Sequence, residues 1–211
     1  MVLTDKSMNI KRDVIRRNND IYAKFYSFLR FLILPIGKID GFIPKNGRII
    51  DYGCGFGATS CYFALSSKNR DVVGIERNEK RFKRAVEMAK GVHNLKFKLG
   101  DISKIKIPMA DAHLLIDVLH HVPYKEQVIL LEKIIKNMAK GNLLIIKEID
   151  KMPLSKYFWN WIHDKIMTLN DKLYFRDQKW FGNFFHKIRL SAKILRCENL
   201  FYPHFIIVVK K

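Results

Sequence analysis

The stretch RIIDYGCGFGATS, residues 48–60, contains the strongest structural signal in this sequence. It begins with a short apolar run that predicts a buried strand, and it ends with small residues typical of a helix start. Between them, glycine occupies alternate positions at Gly53, Gly55 and Gly57. Glycine allows backbone dihedrals and close ligand approaches that other residues do not. Strand, glycine turn and helix together predict the nucleotide-type pocket of an open α/β sheet.

Two acidic residues indicate which ligand the turn holds. Asp51 lies two residues before the first glycine, where a carboxylate would repel the pyrophosphate of a dinucleotide. Glu76 ends the next apolar run, about 20 residues after the glycines, which is the usual distance for an acid that binds ribose hydroxyls. Ribose combined with positive charge and no phosphate describes S-adenosylmethionine. A plain strand–turn–helix junction with chance glycines is the alternative interpretation.

Four segments in a fixed order resemble one known family, the class I S-adenosylmethionine-dependent methyltransferases. DYGCGFG at 51–57 is similar to the family's first motif, and Glu76 to its ribose-binding acid. GDI at 100–102 resembles the adenine-binding segment, and LLIDVLHHV at 114–122 the fourth-strand motif. The resemblance spans residues 48–150. It implies a doubly wound, Rossmann-like, mostly parallel seven-stranded sheet with helices on both faces and an antiparallel C-terminal hairpin.

The resemblance also implies which residues surround the cofactor. Asp51 is expected near the methionine end of S-adenosylmethionine, Glu76 at the ribose and Asp101 at the adenine amino group. Asp51 and Asp101 could instead cap helices, and Glu76 could be a solvated strand end. The predicted cofactor-binding residues are Asp51, Tyr52, Gly53, Cys54, Gly55, Gly57, Glu76, Arg77, Asp101, Ile102 and Asp117.

Apolar runs alternate with helical patterns along the chain, which predicts a parallel sheet covered by helices. Strands are expected at 48–51, 72–76, 95–99, 112–118 and 143–149. Helices are expected at 58–67, 78–90 and 124–140. The last two apolar runs, residues 191–199 and 205–211, predict the closing hairpin.

Residues 1–40 are predicted to form an amphipathic helical extension. A single helix is expected over residues 8–34, ended by Pro35 and Gly37, with a turn-rich segment at 38–47. One face of this helix is apolar and aromatic, and the other carries Lys and Arg. A helix of this kind either packs over the cofactor cleft, as N-terminal helices of the resembled family do, or lies in a membrane interface.

Candidate catalytic residues follow the predicted fourth strand. Methyl transfer mainly needs a nucleophile aligned at about 3 Å and water excluded, and a general base helps when the methyl acceptor holds its proton. Asp117 ends the strand at the edge where doubly wound sheets bind ligands, and His120 and His121 come next. These three residues are the predicted catalytic set. Because neighbouring side chains diverge, one histidine is expected to face the methyl acceptor and the other to pack.

An aromatic-rich, helical insert is predicted at about 151–190, within a methyltransferase domain of residues 41–211. About half of its rings are expected to pack helices onto the sheet. The others would be too much exposed aromatic surface unless they line a pocket or meet a membrane. The predicted substrate contacts are Trp159, Tyr174, Arg176 and Trp180, with Arg176 placed at a polar end of the methyl acceptor.

Charge and cysteine content limit which binding partners and which cellular compartment the sequence predicts. The chain carries 39 Lys and Arg against 20 Asp and Glu, a net charge of +19. This excess either attracts polyanions or reflects a biased genome composition. Three cysteines without C-x-x-C spacing predict small buried thiols at Cys54 and Cys61, a reducing compartment and no metal site. No secretory signal or membrane span is visible, so a cytoplasmic location is expected, with peripheral contact to an anionic membrane left open.

Three functions are compatible with these features. The favoured one is S-adenosylmethionine-dependent methylation of a hydrophobic small molecule, such as a lipid-, aryl- or polyketide-like compound, with oxygen as the methylated atom. The charge suggests an RNA or other nucleic-acid methyltransferase as the alternative. Enzymes that methylate base amino groups usually carry an N/D-P-P-Y/F motif where this chain has DVLHHVP at 117–123. A non-catalytic binding module with a methyltransferase fold is the third hypothesis.

Overall fold

A seven-stranded sheet organises the computed structural model, which describes residues 5–150, 172–198 and 203–211. Its strands are β1 (Gly47–Tyr52), β2 (Arg70–Glu76), β3 (Leu95–Leu99), β4 (Ala112–Ile116), β5 (Leu143–Ile149), β6 (Ala192–Glu198) and β7 (Pro203–Lys210). Their order across the sheet is β3-β2-β1-β4-β5-β7-β6. β2 runs parallel to β1 and β3, whereas β7 runs antiparallel to β5 and β6. The predicted fold class, a mostly parallel sheet that ends in an antiparallel hairpin, is confirmed.

The helices of the described residues are α1 (Asp5–Arg16), α2 (Ile21–Ile33), α3 (Ile36–Phe42), α4 (Ala58–Ser66), α5 (Glu79–Met88), α6 (Tyr124–Asn137) and α7 (Gln178–Lys187). A short 3₁₀ turn covers Leu119–His121. The helices predicted after β1, β2 and β4 are therefore present, and each ends one to three residues earlier than expected.

The chain divides into two compact units, one up to Leu114 and one from Leu115 onward. In the first unit, the four consecutive β1 residues from Ile49 to Tyr52 are all buried. In the second, β5 is buried continuously from Leu144 to Ile149. Because successive strand side chains point to opposite faces, both faces of these strands are covered, as in parallel α/β sheets.

The prediction of one helix over residues 8–34 is wrong, because the chain breaks between α1 and α2. The Asp20 side chain caps α2 by accepting a hydrogen bond from the Tyr22 amide at 2.9 Å. The Asn18 side chain donates to the Val14 carbonyl and to the Ser27 hydroxyl, both at 3.2 Å. Short polar side chains that bond to the backbone favour caps and turns over helix interiors, which explains the break.

The turn-rich segment predicted at 38–47 is partly helical, since α3 begins directly after Pro35. A proline at a helix start costs no hydrogen bond, because the first amides of a helix have no internal partner. Ile36 and Ile39 anchor α3 by burying their side chains completely. Arg70, at the start of β2, is also buried and pairs with Asp40 of α3 at 2.6 Å.

Candidate active site

The glycine turn has backbone dihedral angles that other residues rarely adopt. Gly55 and Gly57 have φ angles of +60° and +83°. A Cβ on Gly57 would lie 2.6 Å from the Phe97 ring and 3.0 Å from the Ala85 Cβ, so this glycine allows α5 and β3 to pack closely. A Cβ on Gly55 would meet only the Tyr26 hydroxyl, at 3.9 Å. A methyl-sized group would therefore fit at Gly55 without collision, so the backbone there is open to close approach.

Glu76 fixes the position of this turn. It lies at the end of β2, is buried, and accepts a hydrogen bond from the Gly55 amide at 2.9 Å. Its second oxygen accepts from the Asn78 amide at 2.7 Å. A carboxylate oxygen can accept more than one hydrogen bond, so Glu76 keeps capacity for ligand hydroxyls. The alternative of a solvated strand end does not fit its burial.

Asp51 is a buried carboxylate at the end of β1. Asp51 accepts a hydrogen bond from the Ser60 hydroxyl at 2.6 Å, and α4 is capped by Gly57, so Asp51 does not cap that helix. Burial raises the pKa of Asp51 to about 6, and the negative charge of Glu76 adds to the rise. The Ser60 hydrogen bond and the positive charge of Arg30 oppose it. A cationic ligand would stabilise the ionised form of such a carboxylate.

The carboxylates of Asp51 and Glu76 both raise the pKa of the Cys54 thiol. Burial raises the pKa of Cys54 well above its ordinary value, and the charges of Asp51 and Glu76 raise it further. Both carboxylates are therefore close to Cys54 in the first unit, and the negative charge of each is felt at the thiol. Cys61 is buried as predicted, whereas Cys54 is only half-buried.

Other predicted cofactor residues have varied surroundings. The Tyr52 side chain lies in the core, where its hydroxyl meets His113 Nδ1 at 2.9 Å, so only its backbone is left for a ligand. Asp101 accepts hydrogen bonds from the Ser103 amide and hydroxyl at 2.9 and 2.8 Å, and it caps a turn and not a helix. Arg77 is exposed, and Ile102 is half-buried.

The second helix of the N-terminal extension lies against the glycine turn. Phe56, between the last two glycines, packs edge-on against Tyr26 of α2 with ring centroids 4.8 Å apart. The guanidinium groups of Arg81 and Arg84 lie 5.8 and 5.5 Å from the same ring. α2 thus packs beside the glycine turn.

Asp117 begins the second group of candidate residues, in the second unit. It has a φ of +56°, which ends β4 two residues before the predicted end of that strand. Its carboxylate accepts a hydrogen bond from the buried Lys147 ammonium, and its amide donates to the Lys147 carbonyl at 2.9 Å. Because Lys147 balances its charge, Asp117 is better suited to holding a polar group than to removing a proton.

His120 is held by a buried carboxylate. Its Nδ1 lies 2.5 Å from Glu148, whose other oxygen accepts from the Val118 and Leu119 amides at 3.2 and 2.8 Å. The His120 ring is buried and stacks on Phe175 with centroids 5.2 Å apart. His120 therefore has a packing role.

His121 lies beside it, with ring centroids 4.2 Å apart, and is half-buried. The two neighbouring histidines differ in exposure, because His120 is buried and His121 is only half-buried. Of the two, only His121 is placed to meet a bound molecule without unpacking the core.

Arg176 lies in a slot between two aromatic rings. Its guanidinium carbon is 4.4 Å from the Tyr124 ring centroid and 3.9 Å from that of Trp180. Its Nε donates to the Gln127 side chain and one terminal nitrogen to the Tyr124 carbonyl, both at 3.1 Å. Among the described residues, no carboxylate forms an ion pair with Arg176 within 4.0 Å. The slot thus holds a rigid, half-buried cation.

Half of the described insert rings are core residues, in line with the sequence analysis. Phe175, Phe181 and Phe185 are buried, and the half-buried rings are Tyr174, Trp180 and Phe184. Trp159, a predicted substrate contact, and the remaining insert residues at 151–171 lie outside the described residues.

Several site residues were missed by the sequence analysis. Lys147 and Glu148 interrupt an apolar strand with two adjacent charges, a signal that could have identified them. Gln127 is fully buried and donates to the Leu119, Val122 and Tyr174 carbonyls at 2.8–2.9 Å. Nothing in its local sequence marks this role.

The described residues contain neither a metal-binding cluster nor a membrane-spanning helix. No group of His, Cys, Asp and Glu in 5–150, 172–198 and 203–211 is arranged to hold a metal ion. Over the same ranges, every helix is too short or too polar to cross a bilayer.

Sequence comparisons place the chain among proteins whose names include S-adenosylmethionine or methyl transfer. Residues 43–190 match a family model described as a methyltransferase domain. A carboxy-S-adenosyl-L-methionine synthase of Helicobacter pylori is 28% identical over 168 residues, 73% of this chain and 68% of that protein. The (S)-coclaurine N-methyltransferase of Thalictrum flavum is 32% identical over 109 residues, 50% of this chain and 30% of that enzyme.

Structural comparison supports the same fold. The magnesium protoporphyrin IX methyltransferase of Synechocystis, solved with S-adenosylhomocysteine, gives a TM-score of 0.68 at 16% identity. That match covers 98% of this chain and all of the Synechocystis chain. A methyltransferase of Methanosarcina mazei gives 0.64 at 21% identity, over 85% of this chain and 98% of its own. At these identities, the likeness shows the fold alone.

Proposed function

Because this chain belongs to the class I S-adenosylmethionine-dependent methyltransferase family, we propose that it methylates an oxygen of a hydrophobic small molecule. Its cofactor is S-adenosylmethionine. One observation carries the assignment of the cofactor-binding residues: Asp51 and Glu76 are both buried beside a glycine turn whose centre is open at Gly55. When bound, the cofactor supplies a methyl group on a positively charged sulfur, and a neutral thioether is left behind.

The first unit holds the cofactor in this proposal. Glu76 accepts hydrogen bonds from the ribose hydroxyls, through the lone pairs that the Gly55 and Asn78 amides do not use. Asp51 provides negative charge for the methionine end, where burial strengthens its attraction to a cation. Asp101 is the proposed contact of the adenine amino group, through the carboxylate oxygen that the Ser103 hydrogen bonds do not use. The glycine backbone lies against the nucleoside.

The second unit supplies the residues proposed to act on the methyl acceptor. Tyr174 and Trp180 offer half-buried aromatic surface to a hydrophobic molecule. Arg176, held between rings and lacking an ion-pair partner among the described residues, meets an acidic group of that molecule. Asp117, balanced by Lys147, accepts a hydrogen bond from a polar group.

His121 is the proposed general base. Transfer of the methyl group to the acceptor oxygen would leave the electron pair of the broken carbon–sulfur bond on the cofactor sulfur, so the hydroxyl proton would need a base. The hydroxyl proton passes to the His121 imidazole, the type of side chain that most often serves as a general base. His120 and Glu148 hold the loop that carries His121.

Two measurements test the proposed function. Calorimetry with S-adenosylhomocysteine should show binding to the wild type and strongly weakened binding to the Glu76→Ala variant. Mass spectrometry of small-molecule extracts incubated with methyl-labelled cofactor should then identify a labelled hydrophobic product. Absence of any cofactor binding by the folded protein would overturn the proposal at its first step.

Formation of a carboxylated S-adenosylmethionine is a second candidate. It is favoured by the similarity to the Helicobacter pylori synthase, which extends over 73% of this chain. The same incubations distinguish the two functions, because the second would yield a cofactor product heavier by a carboxyl group and leave no label on another molecule.

A further inference from the structure

α2 carries an apolar ridge on the protein surface. Its four members are Ile21, Phe25, Phe28 and Leu32, which are 81%, 59%, 51% and 64% exposed. Their spacing of four, three and four residues places them on one face of the helix, over three turns. The opposite face is occupied by Ala23, Ser27 and Phe31, which are buried. The ridge is therefore the outward side of a helix that is already packed.

Ridges of this kind are unusual on the surface of monomeric soluble proteins. Single exposed apolar side chains are common, whereas contiguous apolar patches usually mark interaction sites. Phe25 and Phe28 are large rings that the packing of α2 itself does not require.

The charges around the ridge identify the partner. α2 contains Lys24 and Arg30 and no acidic residue. On the helix surface, Lys24 is the neighbour of Ile21 and Phe28, three and four residues away. Residues 5–33 together hold seven Lys and Arg against three Asp.

Two of those three carboxylates are already engaged. Asp13 pairs with Arg17 at 3.4 Å, and Asp20 pairs with Arg84 at 2.8 Å. An apolar helix face with cations beside it matches a surface that is negative outside and apolar inside.

We propose that the α2 ridge docks on the surface of an anionic lipid bilayer. The four side chains enter the boundary between headgroups and acyl chains, and Lys24 stays at the level of the lipid phosphates. With 13 residues, α2 lies in the plane of the membrane and does not cross it. A second copy of the chain fits the ridge less well, because each copy has a net charge of +19 and basic side chains would face each other.

Docking brings the glycine turn to the membrane, since Tyr26 on the same helix contacts Phe56 of the turn at 4.8 Å. The inference does not depend on which molecule is methylated, and vesicle binding can be measured without turnover.

The test is co-sedimentation of the full chain with vesicles. Phosphatidylcholine vesicles that contain phosphatidylglycerol are compared with pure phosphatidylcholine vesicles. The variants are Phe28→Glu on the ridge and Met109→Glu as the matched control, because Met109 is 64% exposed and not on the ridge. Both variants make the same change in charge. Thermal unfolding and S-adenosylhomocysteine binding check that each variant is folded.

The wild type and Met109→Glu should sediment with the anionic vesicles, and Phe28→Glu should bind them more weakly by about tenfold or more, because one buried ring is lost and a repelled charge is added. Added salt should release the protein by screening Lys24. Equal binding by all three proteins, or no preference for the anionic vesicles, would overturn the inference. So would a self-association in sedimentation velocity that Phe28→Glu abolishes while vesicle binding is unchanged.

Discussion

Glu76 and Gly55 are joined by a hydrogen bond that sets the shape of the glycine turn, with the Gly55 amide 2.9 Å from the Glu76 carboxylate. The same carboxylate accepts from the Asn78 amide, so one buried acid holds two loops that follow neighbouring strands. An acid proposed to bind ribose hydroxyls thus also builds the pocket in which they would lie. If the proposed role is right, changes at Glu76 alter ligand binding and local stability together.

Replacing Glu76 with Gln should damage both properties. The amide has one acceptor oxygen and directs an NH2 group at one of the two backbone amides, so a buried donor loses its partner. We expect the free energy of unfolding to fall by about 1–3 kcal/mol and S-adenosylhomocysteine affinity to fall about tenfold or more. Urea denaturation and calorimetry measure these changes. Glu79→Gln, on the exposed first turn of α5, is the control and should change neither.

Gly57→Ala should be much more destabilising than Gly141→Ala. Both glycines have positive φ angles, +83° and +92°, so both variants carry the strain of a left-handed alanine, about 1–2 kcal/mol. Only at Gly57 would the new methyl group meet other atoms, with Phe97 at 2.6 Å, whereas nothing lies within 4 Å at Gly141. Chemical denaturation of the two variants isolates the cost of that collision. Equal losses would show that α5 and β3 yield easily.

The sheet was predictable because its signals are local. Each inner strand is a short apolar run, and the Asp51-to-Gly57 segment combines a strand end with turn residues. The same local reasoning failed at the break between α1 and α2, where apolar periodicity continued on both sides. The continuous periodicity hid the capping role of Asp20, although Asp20 and the two Asn residues before it are typical of a helix start.

The candidate site was predictable only in part, because half of its geometry comes from contacts distant in sequence. Asp117 was expected to continue β4. Instead, it has a positive φ, the chain turns there, and its side chain pairs with Lys147, 30 residues away. Gln127 fixes the histidine loop by donating to backbone carbonyls, which leave no pattern in the sequence. Tyr52 was predicted from its place in a motif, and the alternation of strand faces sends its side chain into the core.

Asp51→Asn should make the protein more stable at neutral pH. The pKa of Asp51 rises from 3.8 in the unfolded chain to about 6 in the folded one, so folding favours its protonated form. That stabilisation is complete below the unfolded value and is lost as the pH rises through about 6, a change of about 3 kcal/mol. Asparagine keeps an acceptor for Ser60 without the charge. Denaturation midpoints at pH 4 and pH 8 should therefore diverge between variant and wild type.

The same titration should affect the cofactor. S-adenosylmethionine affinity of the wild type should increase with pH through about 6, as the carboxylate that attracts the cation forms. The Asp51→Asn variant should bind more weakly and lose this component of the pH dependence. A variant that binds the cofactor as tightly as the wild type would remove Asp51 from the proposed binding site.

His120 and His121 should respond differently to replacement by Gln. His121→Gln should lower the single-turnover rate about 100-fold, because the proposed base is lost, and leave stability and cofactor affinity unchanged. His120→Gln should lower the free energy of unfolding by about 1–3 kcal/mol, since it disturbs the buried contact with Glu148. Stopped reactions with labelled cofactor and urea denaturation separate the two effects. A rate loss confined to His120→Gln would assign the base to His120.

Arg176→Lys should impair recognition of the methyl acceptor more than the reaction itself. A lysine ammonium cannot keep both ring contacts and the fixed hydrogen bonds to Gln127 and the Tyr124 carbonyl, so the cation loses its orientation. The KM for an acidic methyl acceptor should rise about tenfold, with kcat and S-adenosylhomocysteine affinity nearly constant. Lys179→Ala, which removes an exposed cation from the same segment, is the control. If a neutral derivative of the acceptor loses as much as the acidic one, Arg176 supports the slot and does not read the acid.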